Sequence, residues 1–305
     1  MTAPTALVLG EALIDIVRKG THETEHAGGS PMNVAVGLGR LGIPTTLGTW
    51  IGKDQRGEVI RQHCAASDVH LVPGSDAAVK TPTAMATIDD AGQAQYTFDL
   101  SWELPKVPKW LSPAVIHTGS IAAVLEPGGS AVLEAIRAGA DRATITYDPN
   151  MRPQIMGSSA GVNLRVEELI SLADLVKVSD QDMLSLFPDG DMMEEAAHWL
   201  EQGPSIVIVT KGGDGAVAVT ASGLWVEIAP QPAVVVDTVG AGDSFMSGVI
   251  WALAQAGLLG AAQRQALRQI TEQQLRLVME QAAQIAAITV SRAGANPPRL
   301  AELRR

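Results

Sequence analysis

Short apolar runs alternate with amphipathic segments along most of this chain, and that alternation limits its fold most strictly. The runs ALVLG, TTLGTWIG, AVIHTG, ATITYD, DLVKVS and SIVIVT are rich in Val, Ile and Thr, as buried strands are. The segments between them, such as NVAVGLGRLG, GGSAVLEAIRAGA, RVEELISLA and MEEAAHWLEQ, have the apolar spacing of helices. Strands that alternate with helices predict βαβ units, and therefore an α/β protein built around a parallel sheet.

Two stretches break this alternation, because no helical segment follows them. They are LIDIVRKG, near residues 13–20, and TAMATIDDAGQAQYTFDL, near residues 83–100. The second predicts a hairpin with its turn at Asp89 to Gly92. We expect these strands to leave the main sheet and form a small β lid, which comprises about residues 11–30 and 82–105.

The last third of the chain predicts a sheet edge followed by helix. The segments GAVAVT, LWVEIA and AVVVD predict short strands that close one edge of the sheet. The long stretch AAQRQALRQITEQQLRLVMEQAAQIAAITVSR is polar on one face and aliphatic on the other, which predicts a helical region packed on the sheet. With 305 residues, of which 46% are apolar, residues 1–305 can form a single domain.

Charge and the remaining composition disfavour several classes of partner. A net charge of -11 argues against nucleic acid, since phosphate backbones require a basic face. The N-terminal apolar run contains Glu11 and lacks a basic start, so it predicts a strand and not a signal peptide. The apolar helical stretch MSGVIWALAQAGLLG is too short to span a bilayer, and the single Cys64 forms no disulfide. We expect a cytoplasmic protein that binds no nucleic acid and no membrane.

The segment DTVGAGDSFMSGVIWALAQAG, residues 237–257, predicts an anion site. Its glycines lie between the apolar run AVVVD and an amphipathic helix. Gly240 and Gly242 allow a close approach to the backbone, and the free amides at a helix start attract negative charge. Asp243 then lies in the first helical turn, where a carboxylate is either a group that stabilises the helix dipole or a base. Beside bound phosphate, a base that accepts the proton of a phosphorylated hydroxyl is the functional alternative.

DTVGAGDSF resembles a signature of the ribokinase-like family, also called the phosphofructokinase B family. Residues 28–42, GGSPMNVAVGLGRLG, are similar to that family's other signature. Weaker similarities occur at TPTAMATID, HTGS, DPNMR, KVSDQD, TKGGDGA and RAGANPP, so the resemblance spans nearly the whole chain. It implies a three-layer α/β/α sandwich with a mostly parallel central sheet and a small β lid. The runs TFDLSWELP, HTGSIAAVLEPGG and SRAGANPP resemble bacterial fructokinases in particular.

The resemblance implies a role for each matching residue. Asp243 corresponds to the catalytic base, beside an anion hole formed at Gly240, Ala241 and Gly242. The residues implied in binding of the sugar or its phosphate are Asp15, Gly28, Gly29, Asn33 and Arg152. For the nucleotide they are Thr210, Lys211, Gly212, Gly213 and Gly215 in TKGGDGA.

The resemblance also implies ATP and Mg2+, and it suggests K+. The family's Asn-x-x-Glu motif, which organises Mg2+ through water, corresponds here to Ser179 and Asp182, so Asp182 is the expected metal-organising carboxylate. A monovalent cation site would use Asp237, Ser291 and Gly294. We further expect the lid to close on the sugar with Asp15 on one side and Tyr96, Phe98 and Trp102 on the other, and its exposed edges to form a homodimer.

The predicted activity is transfer of the γ-phosphoryl group of ATP to a hydroxyl of a small sugar, with fructose favoured. A sugar acid such as 2-keto-3-deoxygluconate is an alternative that needs an extra basic group in the pocket. From another class, a non-catalytic sugar- or nucleotide-binding regulator would keep the fold and lose the base. An NAD-dependent oxidoreductase depends only on the GxGxxG pattern of residues 37–42, which ends a helical segment and predicts close helix packing instead.

Overall fold

The computed structural model describes residues 4–88, 93–157 and 160–303. In chain order, the strands found there are β1 (Ala6–Leu9), β2 (Leu13–Lys19), β3 (His22–Gly28), β4 (Thr45–Gly48), β5 (Val69–Leu71), β6 (Thr83–Ile88), β7 (Ala94–Asp99), β8 (Val115–Gly119), β9 (Thr144–Asp148), β10 (Leu175–Ser179), β11 (Ile206–Thr210), β12 (Ala216–Thr220) and β13 (Trp225–Ile228).

The α-helices found in the same residues are α1 (Ser30–Arg40), α2 (Gln55–Ala65), α3 (Gly128–Gly139), α4 (Pro153–Met156), α5 (Ala160–Leu172), α6 (Asp180–Leu186), α7 (Met192–Gln202), α8 (Ala241–Gln255), α9 (Arg264–Arg268), α10 (Glu272–Val290) and α11 (Leu300–Leu303).

The main sheet separates two hydrophobic layers. Its order, within the described residues, is β13-β12-β11-β10-β9-β8-β1-β4-β5, with every pair parallel from β11 through β5 and with β12 and β13 antiparallel at one edge. Strand alternation sends Ala6 and Val8 into a core shared with α1, α8 and α10, and Leu7 and Leu9 into a core shared with α3, α5 and α7. This confirms the predicted three-layer α/β/α sandwich.

A second sheet, of order β3-β2-β6-β7 in the described residues, forms the lid. β2 pairs antiparallel with β3 and parallel with β6, and β6 pairs antiparallel with β7. Ile14 and Ile16 of β2 are buried in the core on the α1 side, so the opposite face of β2 carries Asp15 and Val17. The predicted turn at residues 89–92 lies outside the described residues. The sequence reading missed β3, because HETEHAG is polar throughout and lacks an apolar alternation.

One prediction about the C-terminal third is wrong. AVVVD forms no strand in the described chain, and Val234, Val235 and Val236 are exposed. β-Branched residues favour strands only where a neighbouring strand and a core cover them, and here both are missing around this segment. The long helical stretch is divided by residues 269–271, where Thr271 and Gln274 form a capping box that starts α10.

The false dinucleotide pattern has the predicted packing role. A Cβ atom on Gly37 would lie 2.4 Å from the hydroxyl of Ser247, and one on Gly39 would lie 2.1 Å from the carbonyl oxygen of Ser67. The glycines therefore let α1 pack closely on α8 and on the chain before β5. Among the described residues, no helix combines the length and the apolar character needed to cross a membrane.

Candidate active site

The start of α8 builds the predicted anion loop. Gly240, the residue before the helix, has φ 74° and ψ 7°, a left-handed conformation that favours glycine. A Cβ atom there would also lie 2.5 Å from that of Ala295. The backbone amides of Gly242 and Asp243 lie in the first helical turn, where they are free to bind an anion, whereas the amide of Ala241 donates to the carbonyl oxygen of Thr238 at 3.2 Å.

Asp243 is buried beneath this loop, with an exposed fraction of 8%. The hydroxyl of Ser30 donates to its Oδ1 at 2.7 Å, and the amide Nδ2 of Asn33 donates to its Oδ2 at 2.8 Å. Both donors come from the first turn of α1, which crosses α8 at this point. The carboxylate that the sequence predicted as a base is therefore held by two neutral donors, one on each oxygen.

Asn33 has a different set of contacts from the one expected. It was predicted to bind sugar hydroxyls, but its Nδ2 is already occupied by Asp243. Its Oδ1 is buried and has no hydrogen-bond partner within the described residues. Because a buried amide oxygen without a partner is costly, this atom is suited to accept a hydrogen bond from a ligand hydroxyl next to Asp243.

The diglycine of residues 28–29 packs against the lid connection. A Cβ atom on Gly28 would lie 2.0 Å from Oδ2 of Asp15, so the carboxylate lies directly against the backbone at this point. Gly29 has φ 114°, and a Cβ atom there would lie 2.5 Å from the carbonyl oxygen of Glu11. The structure thus brings Asp15, Gly28 and Gly29 together where the chain that enters β2 lies against the chain that leaves β3.

One transverse row of the lid sheet carries the chemistry expected of a sugar-binding face. His26, Asp15, Ala84 and Phe98 face one another in register across the four strands. Directly opposed residues in a sheet point to the same side, so these side chains share the face opposite Ile14. Tyr96 stacks on Phe98 with ring centroids 6.1 Å apart. His26 was not predicted from the sequence, because β3 was not recognised as a strand.

Phe98 shares the face of Asp15 and Trp102 lies in neither group, whereas we expected Tyr96, Phe98 and Trp102 together on the other side from Asp15. The side chain of Trp102 is buried in the core on the α3 side, and its indole Nε1 donates to the carbonyl oxygen of Ala122 at 2.9 Å. A Cβ atom on Gly128 would lie 2.1 Å from the same nitrogen. Burial of the indole with its N–H hydrogen-bonded stabilises the protein more than an exposed position on the lid would.

Burial raises the pKa of Asp15 to about 6, although His26 and Arg152 lower it by their positive charge. A raised pKa means that protonated Asp15 favours the folded state below about pH 3.8, and that this contribution is lost as the pH rises through about 6. We therefore expect Asp15→Asn to increase the free energy of unfolding by about 1 to 3 kcal/mol at pH 7.5 and to leave it unchanged at pH 4.

The same substitution is expected to weaken sugar binding by about tenfold, because it removes a charged acceptor of hydroxyl hydrogen bonds. Urea denaturation at the two pH values and titration calorimetry measure the two effects. Asp99→Asn is the matched control, since Asp99 lies on the opposite face of the lid sheet from Asp15 and forms an exposed ion pair with Lys80. A loss of stability at pH 7.5 in Asp15→Asn would contradict the prediction.

Arg152 follows β9 and is exposed. Its guanidinium donates to the carbonyl oxygen of Met151 at 2.8 Å, and its charge acts on Asp15. The structure therefore places Arg152 at the mouth of the site near the lid. Its contact with phosphate stays a prediction.

The predicted nucleotide loop follows β11 beside the end of β10, where Thr210 lies in register with Ser179. Lys211 pairs with Glu227 of β13 at 2.7 Å, so its ammonium group is held at the sheet edge. Cβ atoms on Gly212 and Gly213 would meet no described atom within 4 Å, so this backbone is open to a ligand. Gly215 has φ 88° and packs on the carbonyl oxygen of Ile228.

Asp182 serves as a helix cap in this structure. Its Oδ2 accepts from the backbone amide of Ser179 at 3.2 Å in a capping box and from the Ser179 hydroxyl at 2.6 Å, and its Oδ1 accepts from the amide of Met151 at 2.7 Å. The described residues contain no group of three or more His, Cys, Asp or Glu side chains that could hold a metal ion. The donors in this part of the chain thus form no direct Mg2+ cage, and a role of Asp182 through water stays a prediction.

Two of the three residues predicted for a monovalent cation are in contact. Oδ2 of Asp237 accepts from the amide of Gly294 at 2.8 Å. Hydrogen bonds from the amides of Val239 and Gly294 lower the pKa of Asp237, so the carboxylate is ionised. Ser291 ends α10 in the same loop, and its hydroxyl donates to Ile288. Cation binding at this contact stays a prediction.

Lys177 is a functional candidate that the sequence reading missed. It lies in β10, where strand alternation places it on the same face as Leu175, towards α8. Its Nζ is 2.8 Å from Oδ2 of Asp148, and both side chains are buried. A Cβ atom on Gly242 would lie 2.9 Å from the same Nζ. A buried ammonium group therefore lies directly under the anion loop, and the signal for it was a lysine inside the apolar run LVKV.

Burial alone would lower the pKa of Lys177, but the negative charges of Asp148, Asp182 and Asp243 outweigh that effect and raise it. Lys177 is therefore an ammonium ion at neutral pH. The three carboxylates around it repel further negative charge. A bound anion is therefore favoured only at positions that face the ammonium group and the loop amides.

Glu11 was also missed as a site residue, although it stands directly after β1. Burial raises its pKa to about 7, against hydrogen bonds that include those from Ser120 and from the amide of Ala122. Ser120 has φ 57° and ψ -154°, a strained conformation for a residue other than glycine. The strained residue and the buried carboxylate lie together where the chain leaves β1 for the lid.

Residues 4–302 match the family model described as pfkB family carbohydrate kinase. The chain is 33% identical over 286 residues to a fructokinase from Rhizobium leguminosarum bv. trifolii, an alignment that covers 88% of this chain and 85% of that protein.

Solved structures resemble the fold over nearly its full length. A fructokinase with bound ATP from Xylella fastidiosa has a TM-score of 0.83 at 24% identity, covering 98% of this chain and 97% of that one. A double mutant of a fructokinase from Vibrio cholerae O395, bound to fructose, ADP and a potassium ion, has a TM-score of 0.80 at 23% identity, covering 100% and 99%.

Proposed function

Because this chain belongs to the pfkB family of carbohydrate kinases, we propose that it is an ATP-dependent fructokinase. The fructokinase relative supports the sugar, and the ATP-bound and fructose-bound fold neighbours support the pair of substrates. The observation that carries the proposal is the placement of Asp243. A buried carboxylate in the first turn of α8 lies beside the free amides of Gly242 and Asp243 and beside Oδ1 of Asn33, which has no partner within the described residues.

The chemistry follows from these groups. A sugar hydroxyl that lies between Asp243 and the γ-phosphoryl group loses its proton to Asp243 while its oxygen bonds to phosphorus, and the bond from phosphorus to the ADP oxygen breaks. The amides of Gly242 and Asp243 and the ammonium of Lys177 stabilise the charge on the transferred group. Because the transition state of phosphoryl transfer is loose, the base need not be strong.

The remaining predicted residues take supporting roles in this proposal. Asp182 would hold Mg2+ through water, and the metal would supply positive charge to neutralise the phosphates. The Asp237 and Gly294 contact is the proposed K+ site. The lid row of Asp15 and Phe98 covers the sugar and excludes water, which would otherwise be an unproductive acceptor of the phosphoryl group.

A coupled ADP-release assay with Mg-ATP tests the proposal. The acceptors are fructose, ribose, 2-keto-3-deoxygluconate, tagatose 6-phosphate and adenosine. Fructose should give the highest kcat/KM. The sugar acid is the serious competitor, because the positive charge of Arg152 acts on Asp15 and His26 faces that residue across the lid. Turnover of the sugar acid alone would identify it as the substrate in place of fructose, and the protein would still be a kinase. ATP binding without ADP release for every acceptor would favour a non-catalytic binder.

We expect the chain to form a homodimer through the lid, because β3 and β7 are the open edges of a small sheet. Gel filtration with light scattering across working concentrations measures this. Lys19 and His22 close the hairpin as a hydrogen-bonded pair, so Glu23, the next residue of β3, directs its amide to the open edge. Glu23→Pro removes that edge amide, and Glu23→Ala, which keeps it, serves as the control. A monomer at all concentrations would contradict the expectation.

A further inference from the structure

We propose that Ser30 is a positioning residue that orients the carboxylate of Asp243 for phosphoryl transfer. This inference rests on the proposed function, in which Asp243 is the base. The hydroxyl of Ser30 donates to Oδ1 of Asp243 at 2.7 Å, and both residues are buried. The two residues are 213 positions apart in the chain, and no sequence signature pairs them.

Two donors are needed to fix the plane of this carboxylate. Asn33 alone holds Oδ2 and leaves the group able to rotate about the bond that joins Cβ to Cγ. The hydrogen bond from Ser30 to Oδ1 removes that freedom. Since each carboxylate oxygen has more than one acceptor position, both oxygens can still accept a hydrogen bond from a substrate hydroxyl. The role of Ser30 is therefore to fix direction, and a base must lie within hydrogen-bonding distance of the proton that it accepts.

The hydroxyl of Ser30 is used in an unusual way for its place in the helix. A serine at a helix start commonly accepts from a nearby backbone amide. Here Gly29 occupies the cap position, and no side chain caps α1 within the described residues. Ser30 donates across the helix interface to α8 instead. The first turn of α1 thus has no side-chain capping bond within the described residues, and the Ser30 hydroxyl bonds to the base instead.

Ser30 also lies next to the lid connection. β3 ends at Gly28, and Gly29 packs on the carbonyl oxygen of Glu11, where the chain enters β2. Ser30 is the next residue. Ser30, which orients Asp243, therefore directly follows the segment that connects the lid to the main sheet domain. The direction of the Asp243 carboxylate thus depends on the position of that segment.

The test compares Ser30→Ala with Ser247→Ala. Ser247 is buried in the same interface of α1 with α8, and its hydroxyl donates to the carbonyl oxygen of Ser244, so its loss removes a similar bond away from the base. We expect Ser30→Ala to lower kcat by about tenfold, while the dissociation constants of ATP and sugar change by about twofold at most. Ser247→Ala should keep kcat within about twofold of the unmodified protein. Ser30→Thr keeps the donor and should recover most of kcat.

Several outcomes overturn the proposal. They are a kcat of Ser30→Ala close to that of the unmodified protein, an equal loss in both alanine variants, and a Ser30→Thr variant that folds but is as slow as Ser30→Ala. Should Ser30→Ala fail to fold, Ser30→Cys keeps the volume with a weaker donor and must show an intermediate kcat. Normal sugar phosphorylation that is abolished by Asp243→Asn but untouched by Ser30→Ala refutes only the role of Ser30. Absence of turnover in the unmodified protein refutes the kinase itself.

Discussion

Replacing Asp243 by asparagine is expected to lower kcat by about 100-fold or more, the scale of a positioned general base. The amide cannot accept the proton of the sugar hydroxyl at neutral pH. The surrounding hydrogen bonds can persist, because the amide oxygen can accept from Asn33 while the hydroxyl of Ser30 turns to accept from the amide nitrogen. Fold and ligand affinity should therefore remain, and the loss should appear in kcat.

Asp174→Asn separates loss of the base from loss of any buried carboxylate. Asp174 lies at the opposite end of the sheet, where it accepts from the amide of Ile145 at 2.8 Å and pairs with Arg264 at 2.6 Å. That variant should be less stable and retain kcat. The measurements are ADP release at saturating substrates, calorimetric affinities and thermal melting. A kcat of Asp243→Asn near that of the unmodified protein would remove Asp243 from the role of base.

The backbone of the site could be predicted from the sequence because its signals are local. Glycines between an apolar run and an amphipathic segment predicted a turn followed by a helix with Asp243 in its first turn, and the structure has α8 beginning at Ala241 with Asp243 in that position. Regular alternation of strands and helices similarly predicted the parallel sheet. Each of these depends on residues only a few positions apart, where spacing and backbone preference decide the outcome.

The contacts of the site depend on long-range packing and could not be predicted in this way. Ser30 lies within residues 28–42, which match one family signature, but its hydroxyl meets Asp243 only because α1 crosses α8. Asn33 was assigned to the sugar, although its amide group binds the base. The exposed run AVVVD and the buried Trp102 could not be predicted for the same reason. Whether segments distant in the sequence bury such residues decides whether they form a strand and where their side chains lie. Lys177 had a local signal, a charge within an apolar strand, but its direction towards Gly242 follows from the order of the sheet.

Replacing Lys177 by methionine is expected to reduce both stability and turnover. Methionine fills a similar volume, but it leaves Asp148 buried without its partner, and one oxygen of Asp148 already lacks a hydrogen bond within the described chain. Removing one member of a buried ion pair costs about 3 to 5 kcal/mol of unfolding free energy. The ammonium also lies under Gly242, so its loss should lower kcat by about 100-fold, as removal of one preorganised charge-stabilising group does.

The double variant Lys177→Met with Asp148→Asn separates these two effects. It removes the uncompensated carboxylate, so urea denaturation should show that most of the lost unfolding free energy returns. The positive charge under the anion loop is still missing, and ADP release should therefore stay about 100-fold below that of the unmodified protein. Recovery of both stability and kcat would show that Lys177 only neutralises Asp148. Recovery of stability alone would assign its charge to the transferred phosphoryl group, even if the single variant fails to fold.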